Sequence, residues 1–197
     1  MDFASNLIAG VLDDVSEYAK KMIGLSIDDI YVNAGFLLIN LDLWRKENIE
    51  KQILDFLYQH HGNVYHHDQG LINAICKGRK YVLPSHYNVM TNFFVFPYSR
   101  FRKKKPFYSE LEICKAKEKP IFIHFTAGVT NKPWIEGCKH PLKNLFLYYK
   151  AKTSYKDKPL RKDNRKVTLK LLSFLYYHIP FIYYAILYCR SFVKNNL

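Results

Sequence analysis

Acidic residues are scarce in this chain of 197 residues: 17 Asp and Glu face 30 Lys and Arg, a formal charge of +13. Cysteine is scarce too. Cys76, Cys114, Cys138 and Cys189 stand far apart with no Cys-x-x-Cys pair, a spacing that argues against a zinc site or a disulfide framework and suits a reducing compartment. The N-terminal MDFASNLIAG has no positive leading region and no long apolar core, so no secretory signal is visible. No helix-turn-helix, zinc-finger or RNP pattern accompanies the positive charge, and the aromatics cluster away from its densest part, so nucleic acid is not an expected partner. Internal repeats are absent.

A hydrophobic fraction of 49% excludes a largely disordered chain. The length suits one core of ordinary domain size with room for an appendage. Residues 150–170 hold nine Lys and Arg against two Asp, and residues 100–105 hold five basic side chains. Such segments read as contacts for phosphate, here an anionic membrane surface. Residues 171–189, LLSFLYYHIPFIYYAILYC, are nineteen mostly apolar positions with His178 and Pro180 at their centre and five tyrosines spread through them. A spanning helix needs about 20 apolar residues, but tyrosine prefers the headgroup level. The segment suits a helix or kinked pair lying in the interface; packing of its aromatics on the domain is the other arrangement.

Strands and helices alternate along the chain, which predicts an α/β domain. Asn6 to Val11 reads as a strand ending at Asp13-Asp14, and Val15 to Ile23 as a helix stopped by Gly24. The stretch Tyr31 to Arg45, YVNAGFLLINLDLWR, reads as a small turn, Asn33-Ala34-Gly35, then a strand, Phe36 to Ile39, buried on both faces. Gly35 either eases that turn or lets the backbone approach a ligand. Asn40 or Asp42 can cap a helix whose apolar positions include Ile49, Ile53, Phe56 and Leu57 and which Gly62 ends. A second helix is expected from Asp68 to about Cys76, a short strand at Tyr81 to Leu83, a long loop over 91–110, a strand at Ile121 to Phe125, and a helix opened by Pro141.

Four patterns occur in order: YVNAGFLLINLDLW, HHDQGLIN at 66–73, HYN at 86–88, and IFIHFTAG at 121–128 with KPW at 132–134. Together they resemble glycosyltransferase family 8, the retaining nucleotide-sugar transferases that include bacterial lipopolysaccharide galactosyl- and glucosyltransferases. The resemblance covers Asn6 to Trp134 and implies a nucleotide-diphospho-sugar transferase (GT-A type) domain. That domain looks incomplete: the family's Asp-x-Asp is missing, since Asp13-Asp14 and Asp28-Asp29 are adjacent pairs and Asn40-Leu41-Asp42 offers one carboxylate. The expected organisation is the later part of such a domain over 1–149 and a basic, aromatic helical tail over 150–197.

The resemblance also implies roles. His124 becomes the imidazole ligand of Mn²⁺ or Mg²⁺, with Gly128 and Lys132 facing the distal phosphate of the donor; without the resemblance His124 reads as a buried histidine bonded to a carbonyl. Gln69 lies near the anomeric carbon, and Asp68 binds sugar hydroxyls or simply caps a helix. His124 and Gln69 are expected to converge on one pocket. Where many relatives have a second Asp, Gly70 stands, a change that bears on which sugar is accepted. Asp13 and Asn33 contact the donor, or cap a helix and hold a turn. His86 and Asn88 line the acceptor side. The implied activity is transfer of a hexose from a nucleotide sugar, UDP-linked, to a lipopolysaccharide or other glycan acceptor by an enzyme peripheral on the cytoplasmic face of the inner membrane. The alternative is a truncated, non-catalytic relative acting as a membrane-associated binding or assembly partner. His60, His61, His140 and His178 show no partner pattern and read as exposed or structural.

Overall fold

A computed structural model describes residues 5–101, 106–126 and 128–195, with nothing to be said of side chains beyond 189; most of the basic run at 100–105 lies outside the described residues. Two compact units are present. The first comprises 1–89 and 97–123, the second 90–96 and 124–197. This division departs from the break expected at 149/150: residues 124–149 group with the tail. Main-chain bonds explain it, since Arg161 donates from its amide to Trp134 O and accepts from Glu136 N.

In the first unit, β1 (Ile8–Leu12) is buried at every position and lies between β2 (Val32–Ile39) and β3 (Lys80–Val82). It runs antiparallel to β2 and parallel to β3. Gly10 allows the close approach of β2, because a Cβ there would meet Val32 Cβ at 2.9 Å. The core gathers Leu7, Ile8, Val32, Ile49 and Cys76, with Trp44, Ile53 and Ile72 packed against it.

The turn expected at Asn33-Ala34-Gly35 falls inside β2 as a bulge. Gly10 pairs with Leu37 and Leu12 with Val32, so four residues of β2 stand opposite Val11 alone, and the extra length arches away from the ladder. The strand is not buried on both faces. It forms one side of the sheet among the described residues, and Leu38 and Ile39 are 42% and 41% exposed.

Helices follow local signals. Ser16 caps α1 (Glu17–Lys21) by accepting from Ala19 N, so Asp13 does not serve as that cap. Asn40, not Asp42, caps α2 (Leu41–Lys46). The helix expected to continue to Gly62 is broken at Asn48, whose φ of 51° ends α2 and starts α3 (Ile49–Gln59); asparagine tolerates this left-handed conformation better than most residues. Then come α4 (His67–Ile75) and β3. The chain crosses between units at β4 (Val89–Met90) and β5 (Ile123–His124), which pair as a two-stranded sheet. The strand expected over 121–125 is thus two residues long, and Ile121 is 62% exposed. The expected loop over 91–110 contains α5 (Thr91–Val95) and a single 3₁₀ turn, Tyr98–Arg100. It ends at α6 (Glu110–Glu118), started by a capping box in which Ser109 and Glu112 exchange bonds.

In the second unit α7 (Lys143–Lys150) begins two residues after Pro141. The tail forms α8 (Val167–His178) and α9 (Pro180–Asn195), so of the single helix and the kinked pair its sequence suits, the pair is present. The break has a local cause: Pro180 pushes Ile179 out of helical geometry, to φ −140° and ψ 63°. No helix among the described residues is long and apolar enough to cross a membrane.

Candidate functional site

The first unit builds a polar cluster at the C-terminal end of β1. Asp13 follows the strand directly, its amide bonded to Tyr31 O at 3.0 Å. Its Oδ2 accepts from Asn33 Nδ2 and from Gln69 Nε2, both at 2.9 Å. The Gln69 oxygen accepts in turn from Asn33 Nδ2 at 3.0 Å and from Ala34 N at 3.1 Å. Three side chains drawn from β1, the bulge of β2 and α4 thus close a triangle. Burial pushes the Asp13 carboxyl above its usual range, and the amides of Asn33 and Gln69 pull it back. Arg100 Nε meets the neighbouring Asp14 at 3.1 Å.

Two features aim Gln69. The first is Asn73, one turn further along the same face of α4. Its Oδ1 accepts from Val32 N at 2.8 Å and its Nδ2 donates to Val32 O at 2.7 Å, so one amide replaces a neighbouring strand for the β2 backbone. With Val32 clamped by Asn73, Gln69 falls opposite Asn33 and Ala34. The second is the entry to α4, where His66 and His67 hold φ of 64° and 52°. Non-glycine residues in this region cost about 1–3 kcal/mol each and collect at functional sites. His66 is fixed by the Tyr31 hydroxyl, 2.9 Å from its Nδ1. This double left-handed step turns the Tyr65 carbonyl onto Gly70, where a Cβ would lie 1.8 Å from that oxygen. The glycine is therefore required by packing, a reason the sequence alone does not give.

Asp68 lies exposed in the first turn of α4 and is not its cap; that position is His66. Asn88 differs from expectation. It is fully buried and donates to Asn33 Oδ1 at 2.9 Å, so it supports Asn33 from behind and cannot line an acceptor surface. His86 is half-buried and stacked on Tyr87 at 4.7 Å. Tyr87 also meets Phe36 at 6.0 Å, and Phe36 meets Phe122 at 5.9 Å, giving a partly exposed aromatic group beside the bulge. Nothing in the patterns singled out Asn73 or this group, although Asn73 ends the run HHDQGLIN.

His124, Gly128 and Lys132 belong to the second unit. His124 is half-buried at the end of β5, and burial, with the Lys132 charge second, lowers its pKa and favours the neutral imidazole that metal ligation needs. Lys132 Nζ lies 5.2 Å from the Trp134 ring centre. A Cβ on Gly128 would meet nothing within 4 Å. Among the described residues no group of three His, Cys, Asp or Glu is placed to hold a metal ion, so they supply one expected ligand and not a whole coordination sphere.

An α/β sheet with polar side chains gathered beyond a central strand is the frame of the GT-A nucleotide-sugar transferases, and solved structures share it. Galactosyltransferase LgtC in complex with donor and acceptor sugar analogues superposes with a TM-score of 0.60 at 23% identity, over 78% of this chain and 54% of that one. The family model "Glycosyl transferase family 8" matches residues 1–138. The chain belongs to glycosyltransferase family 8. Its relatives include general stress protein A of Bacillus subtilis, 27% identical over 79% of this chain and 53% of that protein. Another is the lipopolysaccharide 1,3-galactosyltransferase of Salmonella typhimurium, 26% identical over 79% of this chain and 44% of that protein. The chain thus spans about half the length of the relatives it matches.

Proposed function

We propose that the chain serves a retaining hexosyl transfer from a nucleotide sugar, UDP-linked, to a lipopolysaccharide or related glycan. The observation that carries this reading is the Asp13–Asn33–Gln69 triangle. Transfer of a hexose develops positive charge at the anomeric carbon, and a fixed negative oxygen beside it lowers the barrier without reorganising. Donation from the Gln69 amide to the Asp13 carboxylate polarises that amide and makes its oxygen more negative. One solved relative is an active-site mutant in which glutamine is replaced by glutamate; the HHDQG resemblance gives Gln69 that place here. Asp13, Asn33 and the exposed Asp68 serve the donor sugar, and His86 with the aromatic group at Phe36 and Tyr87 serves the acceptor.

Gly128 and Lys132 serve the diphosphate, the glycine because its open position lets the anion approach the backbone closely and the lysine by its charge. Mn²⁺ or Mg²⁺ when bound would offset charge on the leaving diphosphate, with His124 as its ligand from this chain. One imidazole does not make the site, so none of the roles above depends on the ion. That shortfall favours a second reading, a relative that binds donor or partner without turnover.

The tail adds a surface. Val167, Leu171 and Phe174 on α8 and Phe181 and Tyr188 on α9 are each more than half exposed, beside a segment carrying a net charge of +7, nine basic residues less two acidic. Each such charge contributes about 1 kcal/mol at an anionic leaflet, enough for reversible docking on the cytoplasmic face of the inner membrane. Incubation with UDP-[¹⁴C]galactose or UDP-[¹⁴C]glucose, Mn²⁺ and core lipopolysaccharide tests the activity. Label in the glycolipid with α configuration supports it; no incorporation above a Gln69→Ala control favours the non-catalytic reading.

A further inference from the structure

A cleft of about 200 Å³ opens in the second unit, with Val129, Thr130 and Gly137 of the matched region contributing part of its lining. Lys139, Arg165, Ser173, Phe174, Tyr177 and His178 form the rest, all beyond residue 138, where the match to family 8 ends. Its chemistry is one-sided. No Asp or Glu is among the lining residues. Lys139 Nζ sits 4.4 Å from the Tyr177 ring centre. The Ser173 hydroxyl accepts from Arg165 Nη1 at 3.0 Å and so keeps its own proton to give. The buried Tyr177 hydroxyl has no hydrogen-bond partner among the described residues. Arg165 is fixed in place: Asp163 accepts from its Nε at 3.0 Å and its Nη2 at 2.9 Å, and Gly128 O accepts from its Nη1 at 3.3 Å.

The Lys139 ammonium and the Ser173 hydroxyl suit a group with acceptor oxygens and negative charge, while Arg165, already paired with Asp163, holds Ser173 in place. Phe174 and His178, next to Ser173 and Tyr177 on α8, stack at 4.5 Å and offer a flat face for a sugar ring. The cleft is smaller than the roughly 300 Å³ at which pockets for drug-sized ligands begin, so it suits a single monosaccharide and its phosphate better than a nucleotide. We propose that this cleft binds a phosphomonoester carried on a sugar, with the phosphate against Lys139 and Ser173 and the ring on Phe174 and His178. The proposal does not depend on the transferase reading.

Calorimetric titration of the full chain with glucose 6-phosphate, inorganic phosphate and glucose tests it. Glucose 6-phosphate is expected to bind about tenfold more tightly than phosphate, with glucose alone undetected at millimolar concentration. Lys139→Gln alters an exposed side chain, and Ser173→Ala removes only one hydroxyl, so both fold. Each is expected to weaken glucose 6-phosphate about tenfold, the loss of one charge-assisted or buried hydrogen bond, while Gln69→Ala leaves it unchanged. Equal affinity for phosphate and glucose 6-phosphate would overturn the sugar assignment. No binding by the wild-type chain, or binding untouched in both variants, would overturn the site.

Discussion

Replacing Gly70 by alanine separates two opposed effects. Judged as a helix position, the change stabilises, because alanine in a helix interior is favoured over glycine by about 1 kcal/mol. Judged from the structure, it collides. The new methyl lies 1.8 Å from the Tyr65 carbonyl oxygen, so Tyr65 or the first turn of α4 must move by more than an ångström. That carbonyl is held by the left-handed pair His66-His67 and by the Tyr31–His66 bond, and it has no flexible end to swing aside. Overpacking costs about 1–3 kcal/mol and occasionally more, and here it is relieved only by backbone movement. We expect a net loss of about 2 kcal/mol. With a urea slope of about 1–3 kcal/mol per molar, the unfolding midpoint falls by about 1 M. Displacing the turn that carries Gln69 also weakens donor binding. Urea denaturation followed by circular dichroism reads the first effect, and a midpoint equal to or above wild type would refute the geometry of this turn.

Asn73→Leu leaves both Val32 backbone groups without their side-chain partner and is expected to cost about 2–4 kcal/mol, read in the same denaturation; a loss below ~1 kcal/mol would contradict the clamp. His140 is buried against Phe94 and Phe125, and burial holds its pKa down at about 4. Unfolding frees it to protonate near 6.5, so its stabilising contribution is complete above that pH and is lost as pH falls toward 4. The loss is up to about 3 kcal/mol, and His140→Phe should flatten that part of the pH–stability profile. Gly128→Ala meets no protein atom within 4 Å, so thermal stability should not change while affinity for UDP drops; unchanged affinity would remove Gly128 from the donor loop.

Much of this fold is legible in local signals. The stop at Gly24, the cap at Asn40 and the break before Pro180 each depend on a single residue's backbone preference, which travels with the sequence. The division at Asn48 and the bulge in β2 are less accessible. Asn48 takes a left-handed φ and four residues of β2 stand opposite Val11, and periodicity carries no trace of either. α6 was within reach, since Ser109 and Glu112 are a complete capping box. In the site, Asp13, Asn33 and Gln69 were named by resemblance, and the coordinates bring these three together. Asn88 moved from the acceptor side to a buried support because sequence order gives no measure of depth. Asn73 and Tyr108, whose hydroxyl bridges Leu12 N and Leu83 O, hold the cluster from a distance that no short motif spans.

The most direct test of the donor-site account is calorimetry of the full chain with UDP-glucose and with UDP, each in the presence of Mn²⁺, against wild type and Gln69→Ala. If the triangle on Asp13 receives the hexose, UDP-glucose binds wild type and loses at least tenfold in affinity in the variant, whereas UDP binds both alike. Equal affinity of UDP-glucose for the two proteins, or no heat from wild type at millimolar nucleotide sugar, would contradict it.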